Sequence, residues 1–113
     1  MKHEESQTQR HCVKWFRYQF KQPDYVIFAV PNGGKRGKIE AGIMKAEGVL
    51  AGASDLVVLA HERVIFIEMK AGKGTQTDKQ KEFQKLVENL GFEYYISRNF
   101  DEFQELINEL LTK

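Results

Sequence analysis

Cysteine is almost missing from this chain. Cys12 is its single one, so no internal disulfide forms, and no Cys/His cluster has the spacing of a zinc site. Cys12 reads as a small core residue. Proline occurs twice, at Pro23 and Pro31, too thinly to make a linker, and neither repeats nor low-complexity segments are present, so one domain over residues 1–113 is expected. No apolar run approaches the roughly 20 residues of a membrane span, which excludes a helical membrane protein. Excess charge of one sign is lacking too: 17 basic against 16 acidic residues leave +1, which argues neither for nor against a polyanionic partner. The start, Met1-Lys2-His3-Glu4-Glu5, is acidic where a secretory signal needs a basic start and an apolar stretch, so the expected location is the cytoplasm. What remains is an ordinary globular composition, 42% hydrophobic and 29% charged over 113 residues. A chain of that length buries about two thirds of its unfolded surface around one core.

Periodicity orders the elements. Residues 4 to 21 carry an amphipathic helical pattern that stops near Gln22-Pro23-Asp24, and Tyr25 to Val30 is a short apolar strand broken by Pro31-Asn32-Gly33-Gly34. Ile39, Ile43 and Ala46 repeat at helical spacing before Gly48, which suits a C-terminal cap. Leu56 to Ala60 and Val64 to Ile67 are strands, followed by a flexible Gly72-Lys73-Gly74 loop. Thr77 and Gln80 have capping-box spacing and open a helix with the apolar stripe Phe83, Leu86, Val87 and Leu90, ended by Gly91. Phe92 to Ser97 is a strand, and Phe103, Leu106, Ile107 and Leu110 mark a last helix. The order α-β-α-β-β-α-β-α predicts an α/β fold with a small mixed sheet flanked by helices.

The chemistry concentrates at the ends of the two central strands. If they form a hairpin about His61 and Glu62, paired residues have numbers summing to 123, and Asp55 faces Glu68; an odd loop would send the two carboxylates to opposite faces. Opposed carboxylates about 5 Å apart repel by roughly 3 kcal/mol at an effective dielectric near 20. A divalent cation between them turns repulsion into ligation by hard oxygens, and magnesium needs only one or two carboxylates while keeping waters for a phosphate-bearing substrate. The two-residue side-chain period puts Lys70 on the face of Glu68 and Met69 on the other. The plainer alternative stays open here: three charges that merely end two strands. Glu5 falls on the helical stripe of Gln9, Cys12, Phe16 and Phe20, where a carboxylate is costly unless paired or metal-bound; alternatively it lies in solvent and favours the helix dipole.

Asn32-Gly33-Gly34-Lys35-Arg36-Gly37-Lys38 is the most basic short segment and suits phosphate contact, or is simply a solvated turn. Lys73 extends such a patch. Trp15, Phe16, Tyr18 and Phe20 read as core or dimer contacts rather than base-stacking platforms. No segment has a base-reading pattern, which favours recognition by shape.

Asp55, twelve residues, then Glu68-Met69-Lys70 resembles the signature of the PD-(D/E)XK nuclease superfamily. Residues 5 to 111 look like a virus-type replication-repair nuclease (VRR-NUC) domain. The likeness rests on Glu5 with Gln9, Asn32-Gly33 with Arg36, Lys45 in Met44-Lys45-Ala46-Glu47-Gly48-Val49, Gly52-Ala53-Ser54-Asp55-Leu56, Glu68-Met69-Lys70 and Gln80. Ser54 departs from the family, which usually has proline there. The resemblance implies a restriction-endonuclease-like fold and a metal-dependent endodeoxyribonuclease. It implies Mg²⁺ or Mn²⁺ held by Asp55 and Glu68 with Glu5 and the Met69 carbonyl in support, Lys70 as catalytic lysine, and Gln80 as a further active-site residue besides its capping role. Asn32, Lys35, Arg36, Lys38, Lys45 and Lys73 are the expected DNA-binding residues. Stand-alone members of the family imply a homodimer that cuts four-way (Holliday) junctions; a flap, nick or sequence-directed nuclease and a non-catalytic nucleic-acid-binding module are the alternatives.

Overall fold

The hairpin expected between Leu56 and Ile67 forms in the expected register: Leu56 pairs with Ile67, Val57 with Phe66 and Ala60 with Arg63. Only His61 and Glu62 are left for the turn, and Glu62 takes the positive φ of 61° that so tight a reversal requires. The computed structural model describes residues 2–31 and 38–112, with side chains from residue 5 onward. Its elements are α1 (Lys2–Gln19), β1 (Val26–Ala29), α2 (Lys38–Ala46), β2 (Leu56–Ala60), β3 (Arg63–Met69), α3 (Asp78–Asn89), β4 (Glu93–Ser97) and α4 (Phe100–Leu111). The four strands form one mixed sheet in the order β1-β2-β3-β4, antiparallel except for the β3–β4 pair that α3 connects. The α/β class and the order of elements agree with the sequence pattern.

Alternation along the strands decides what each face meets. Leu56, Val58, Ile65, Ile67 and Met69 point to one face and are sealed by Cys12, Phe16 and Phe20 of α1 with Phe103 and Ile107 of α4. Cys12 is fully buried, and the apolar surroundings push its thiol up to about 12, so it behaves as a small hydrophobe. The opposite face carries Val57, Phe66 and Glu68 and is covered by α3, where Phe83 packs edge-on to Phe66 at 5.4 Å and to Tyr94 at 6.2 Å. At the far end of the sheet Arg63 forms a fork to Glu93 at 2.7 and 2.8 Å and donates to the Leu110 carbonyl at 2.7 Å, tying β3, β4 and the end of α4 together.

Several sequence expectations need correction. β3 extends past Ile67 to Met69, because pairing with β4 continues through Glu68–Ile96 and Met69–Ser97. The first helix ends at Gln19 and the first strand covers only Val26–Ala29. Of the stripe on α3, Val87 is buried, but Leu86 is 54% and Leu90 71% exposed. On α2 no residue is buried: Ile39 is 80% and Ile43 53% exposed. Tyr18 is also exposed, whereas Phe16 and Phe20 are core. Helical periodicity reports an apolar side, not whether anything covers it.

Candidate active site

Extension of the hairpin register by one pair places Asp55 opposite Glu68, on the α3 side of the sheet. The backbone holds Asp55 from both neighbours: its carbonyl accepts from the Val30 N–H at 2.8 Å, and its Oδ2 accepts from the Met69 N–H at 2.8 Å. Ser54 before it is fully buried, with Oγ donating to the Leu56 carbonyl at 3.1 Å, so a hydroxyl anchors the approach to β2. Glu68 is 2% exposed, an unusual position for a carboxylate. Its Oε2 accepts from Gln80 Nε2 at 2.8 Å and lies 3.9 Å from Lys70 Nζ. Among the described residues its Oε1 is buried with no hydrogen-bond partner. Burial, then the charge and direct contact of Asp55, push the Glu68 carboxyl up to about 8; Lys70 opposes the shift and Glu5 adds to it.

Gln80 holds a helix cap and a carboxylate at once. Its Oε1 accepts from the Thr77 N–H at 2.9 Å while its own N–H reaches Thr77 Oγ1 at 3.2 Å, closing a reciprocal capping box. With the amide oxygen engaged there, the amide nitrogen faces Glu68. The cap and the contact with Glu68 are two ends of one side chain.

Gly52 sets where that helix begins. It has φ +86°, and a Cβ built on it would sit 2.3 Å from the Lys79 carbonyl oxygen and 2.9 Å from the Gln80 nitrogen. Both are backbone atoms of the first turn of α3, so the turn itself must move. Gly52→Ala is expected to destabilise the fold by roughly 2–4 kcal/mol, adding displacement of α3 to the strain of a left-handed alanine. Gly48→Ala is the control: φ is +103° but among the described residues nothing lies within 4 Å, so only the backbone cost of about 1 kcal/mol remains. Equal losses in urea denaturation would show that contact with α3 does not matter.

Lys70 follows β3, its N–H bonded to the Ser97 carbonyl at 3.0 Å and its side chain 12% exposed. The turn after it is braced by a residue that the sequence did not single out. Arg98 donates through Nη1 to the Gly72 carbonyl at 3.1 Å and to the Gly74 carbonyl at 2.6 Å. Tyr94, 5% exposed on the same face as Glu68, accepts from Gln76 Nε2 at 3.2 Å and adds a second buried polar group there. No spacing rule points to either, since both act across 18 residues or more.

The other expected site residues are more scattered. Met69 keeps its side chain in the core, 3% exposed, while its backbone faces Asp55. Glu5, part-buried on α1, is felt electrostatically at Glu68, yet no three His, Cys, Asp or Glu side chains converge among the described residues. Lys38 and Lys45 are exposed on α2 and Lys73 in the turn beyond Lys70; Asn32, Lys35 and Arg36 lie outside the described residues. The core of the site is therefore a pair of carboxylates, an ammonium and an amide. Two hard anionic donors, one with a buried oxygen lacking a partner, fit a divalent cation of the magnesium kind.

A solved structure described as a "VRR_NUC domain protein" superimposes on this chain with a TM-score of 0.78 at 23% identity, over 96% of this chain and 88% of that one. The chain thus has the fold of a VRR-NUC domain. No protein-family model matches the sequence, and no curated protein matches it.

Proposed function

We propose that this protein is a VRR-NUC-type nuclease: a divalent-metal-dependent endodeoxyribonuclease that cleaves branched DNA, four-way junctions first, as a homodimer. The observation that carries the reading is Glu68, a buried carboxylate opposite Asp55 with one oxygen unpartnered and an ammonium 3.9 Å from the other. A fold that needed only stability would place an apolar side chain there, because burying like charges side by side costs more than either contributes.

Hydrolysis of a phosphodiester needs neutralised phosphoryl oxygens, an activated water and a stabilised leaving oxygen. When bound, Mg²⁺ or Mn²⁺ supplies Lewis-acid neutralisation and lowers the pKa of water. Asp55 and Glu68 would hold the ion, with Glu5 and the Met69 carbonyl in support. Gln80 fixes the rotamer of Glu68 by its amide N–H. Lys70 orients the attacking water and assists its deprotonation. Lys38, Lys45 and Lys73, with Asn32, Lys35 and Arg36, bind phosphates without reading bases. Dimerisation is supported by the uncovered apolar side of α2, where Ile39 and Ile43 are followed by the exposed Val49 and Leu50.

Incubation with a synthetic four-way junction, a flap, a nicked duplex and a linear duplex, each with Mg²⁺ and with chelator, tests this reading. Paired symmetric cuts on the junction, dependent on metal, are expected. Metal-dependent cutting confined to flaps or nicks keeps the chemistry and changes the substrate. No cleavage of any DNA with millimolar Mg²⁺ or Mn²⁺ overturns the enzyme and leaves a binding module.

A further inference from the structure

The longest stretch without a carboxylate near the start of the chain is also one of the most basic. Residues 6 to 23 contain no Asp or Glu but four cations, Arg10, Lys14, Arg17 and Lys21, although the chain as a whole is nearly balanced. At about 100° per residue, Arg10, Lys14 and Arg17 fall within a sector of about 60° on α1. That sector is not the core side held by Cys12 and Phe16 but the flank facing the edge strand β1. There a groove of about 500 Å³ runs between Gln9, Arg10 and Val13 of α1 and Ala29 of β1. Arg17 is tethered across it, donating through Nη2 to the Ile27 carbonyl at 3.0 Å, which orients the guanidinium and leaves other N–H donors to face out. All three cations are exposed, and among the described residues none of them is in an ion pair with a carboxylate. The groove also leads somewhere: Ala29 precedes Val30, whose N–H holds the Asp55 carbonyl.

We infer that Arg10, Lys14 and Arg17 form a phosphate track that seats one duplex arm of the DNA substrate along α1, with its upper end at the Asp55–Glu68 pair. This inference rests on the nuclease reading above. A row of exposed cations without carboxylate partners beside a groove concentrates positive potential on one flank of a nearly neutral chain, and a DNA backbone presents the complementary charges at matching intervals. With a rise of about 1.5 Å per residue, Glu5 to Arg17 spans about 18 Å, equivalent to about five base pairs at 3.4 Å each. The track therefore sets a minimum arm length as well as affinity, and it contacts the backbone, so it is indifferent to sequence.

The test uses the full chain and the double variant Arg10→Gln/Lys14→Gln, leaving Arg17 because its hydrogen bond ties α1 to β1. Circular dichroism melts confirm folding, and Lys14→Gln alone serves should the double variant be unstable. Hydrolysis of bis(p-nitrophenyl) phosphate with Mn²⁺, a substrate too small to reach the track, is expected to be unchanged. KM for a junction is expected to rise about tenfold or more at 100 mM salt. The slope of log affinity against log salt for metal-free duplex binding should shrink by about 1.8, or about 0.9 per lost contact. Trimming one arm below about five base pairs should raise KM for the wild type but not for the variant. An unchanged salt slope, or equal sensitivity of both proteins to arm length, overturns the track. If the wild type hydrolyses neither substrate, the nuclease reading fails alone, and the metal-free salt slope still decides the track.

Discussion

Lys70→Ala is expected to lower the turnover of the proposed DNA cleavage by about 10²–10⁴-fold, the range for losing a positioned proton-transfer group, while metal-free DNA binding is expected to stay unchanged. The reason is location. The ammonium lies 3.9 Å from Glu68 Oε2 with a side chain only 12% exposed, so the proposed role of orienting the attacking water and assisting its deprotonation predicts a loss of turnover rather than of affinity. Lys70→Arg separates two roles. Arginine keeps the charge but holds its proton to a pKa above about 12, so it cannot relay a proton. Both variants are expected to be slow in single-turnover cleavage of the best DNA substrate. A near-normal rate for Lys70→Arg with a dead Lys70→Ala would reduce the lysine to a fixed charge, and normal cutting by Lys70→Ala would remove it from the mechanism.

Glu68→Gln is expected to abolish the proposed cleavage and at the same time to stabilise the metal-free fold. In the wild type the Glu68 carboxyl is pushed from 4.5 up to about 8 in the folded state. Between those values the native protein holds a proton that the unfolded chain has lost, so metal-free stability is greatest below about pH 4.5 as regards this group and falls as pH rises towards 8. A neutral amide of the same shape has no such penalty and can still accept the Gln80 N–H. At pH 8.5 and without metal, Glu68→Gln is expected to be more stable by roughly 1–3 kcal/mol, less than the full shift implies because protein relaxation screens it. Magnesium should reverse the order, raising the melting temperature of the wild type by mass action and leaving the variant unmoved. Urea titrations at pH 5.5 and 8.5, with and without Mg²⁺, measure both effects. A variant less stable than wild type at pH 8.5 without metal would show that Glu68 is a structural group rather than a strained ligand.

Much of this arrangement could be read from local pattern. The hairpin register follows from parity: an even turn at His61-Glu62 makes Asp55 face Glu68, and the observed pairs obey it. The capping box at Thr77 and Gln80 is a four-residue rule, and it is present. The core stripe Cys12, Phe16, Phe20 is visible because a buried helix face repeats at a fixed angle. These are short-range consequences of backbone geometry, which each residue's neighbours along the chain determine.

What needed the tertiary structure is whatever depends on contacts between distant segments. Gln80 reaching Glu68, Gly52 admitting the first turn of α3 at Lys79, and Arg98 bracing the turn after Lys70 at Gly72 join residues 12, 27 and 26 positions apart, on no periodicity that a chain displays. The exposure of Ile39, Ile43, Leu86 and Leu90 is of the same kind, since an amphipathic stripe states a preference and only the folded neighbours decide whether it is satisfied. Burial of Glu68 is the sharpest case. Alternation assigned it a face, but the desolvation that lifts its carboxyl comes from α3 closing over that face, a property of the assembled layers and not of the strand.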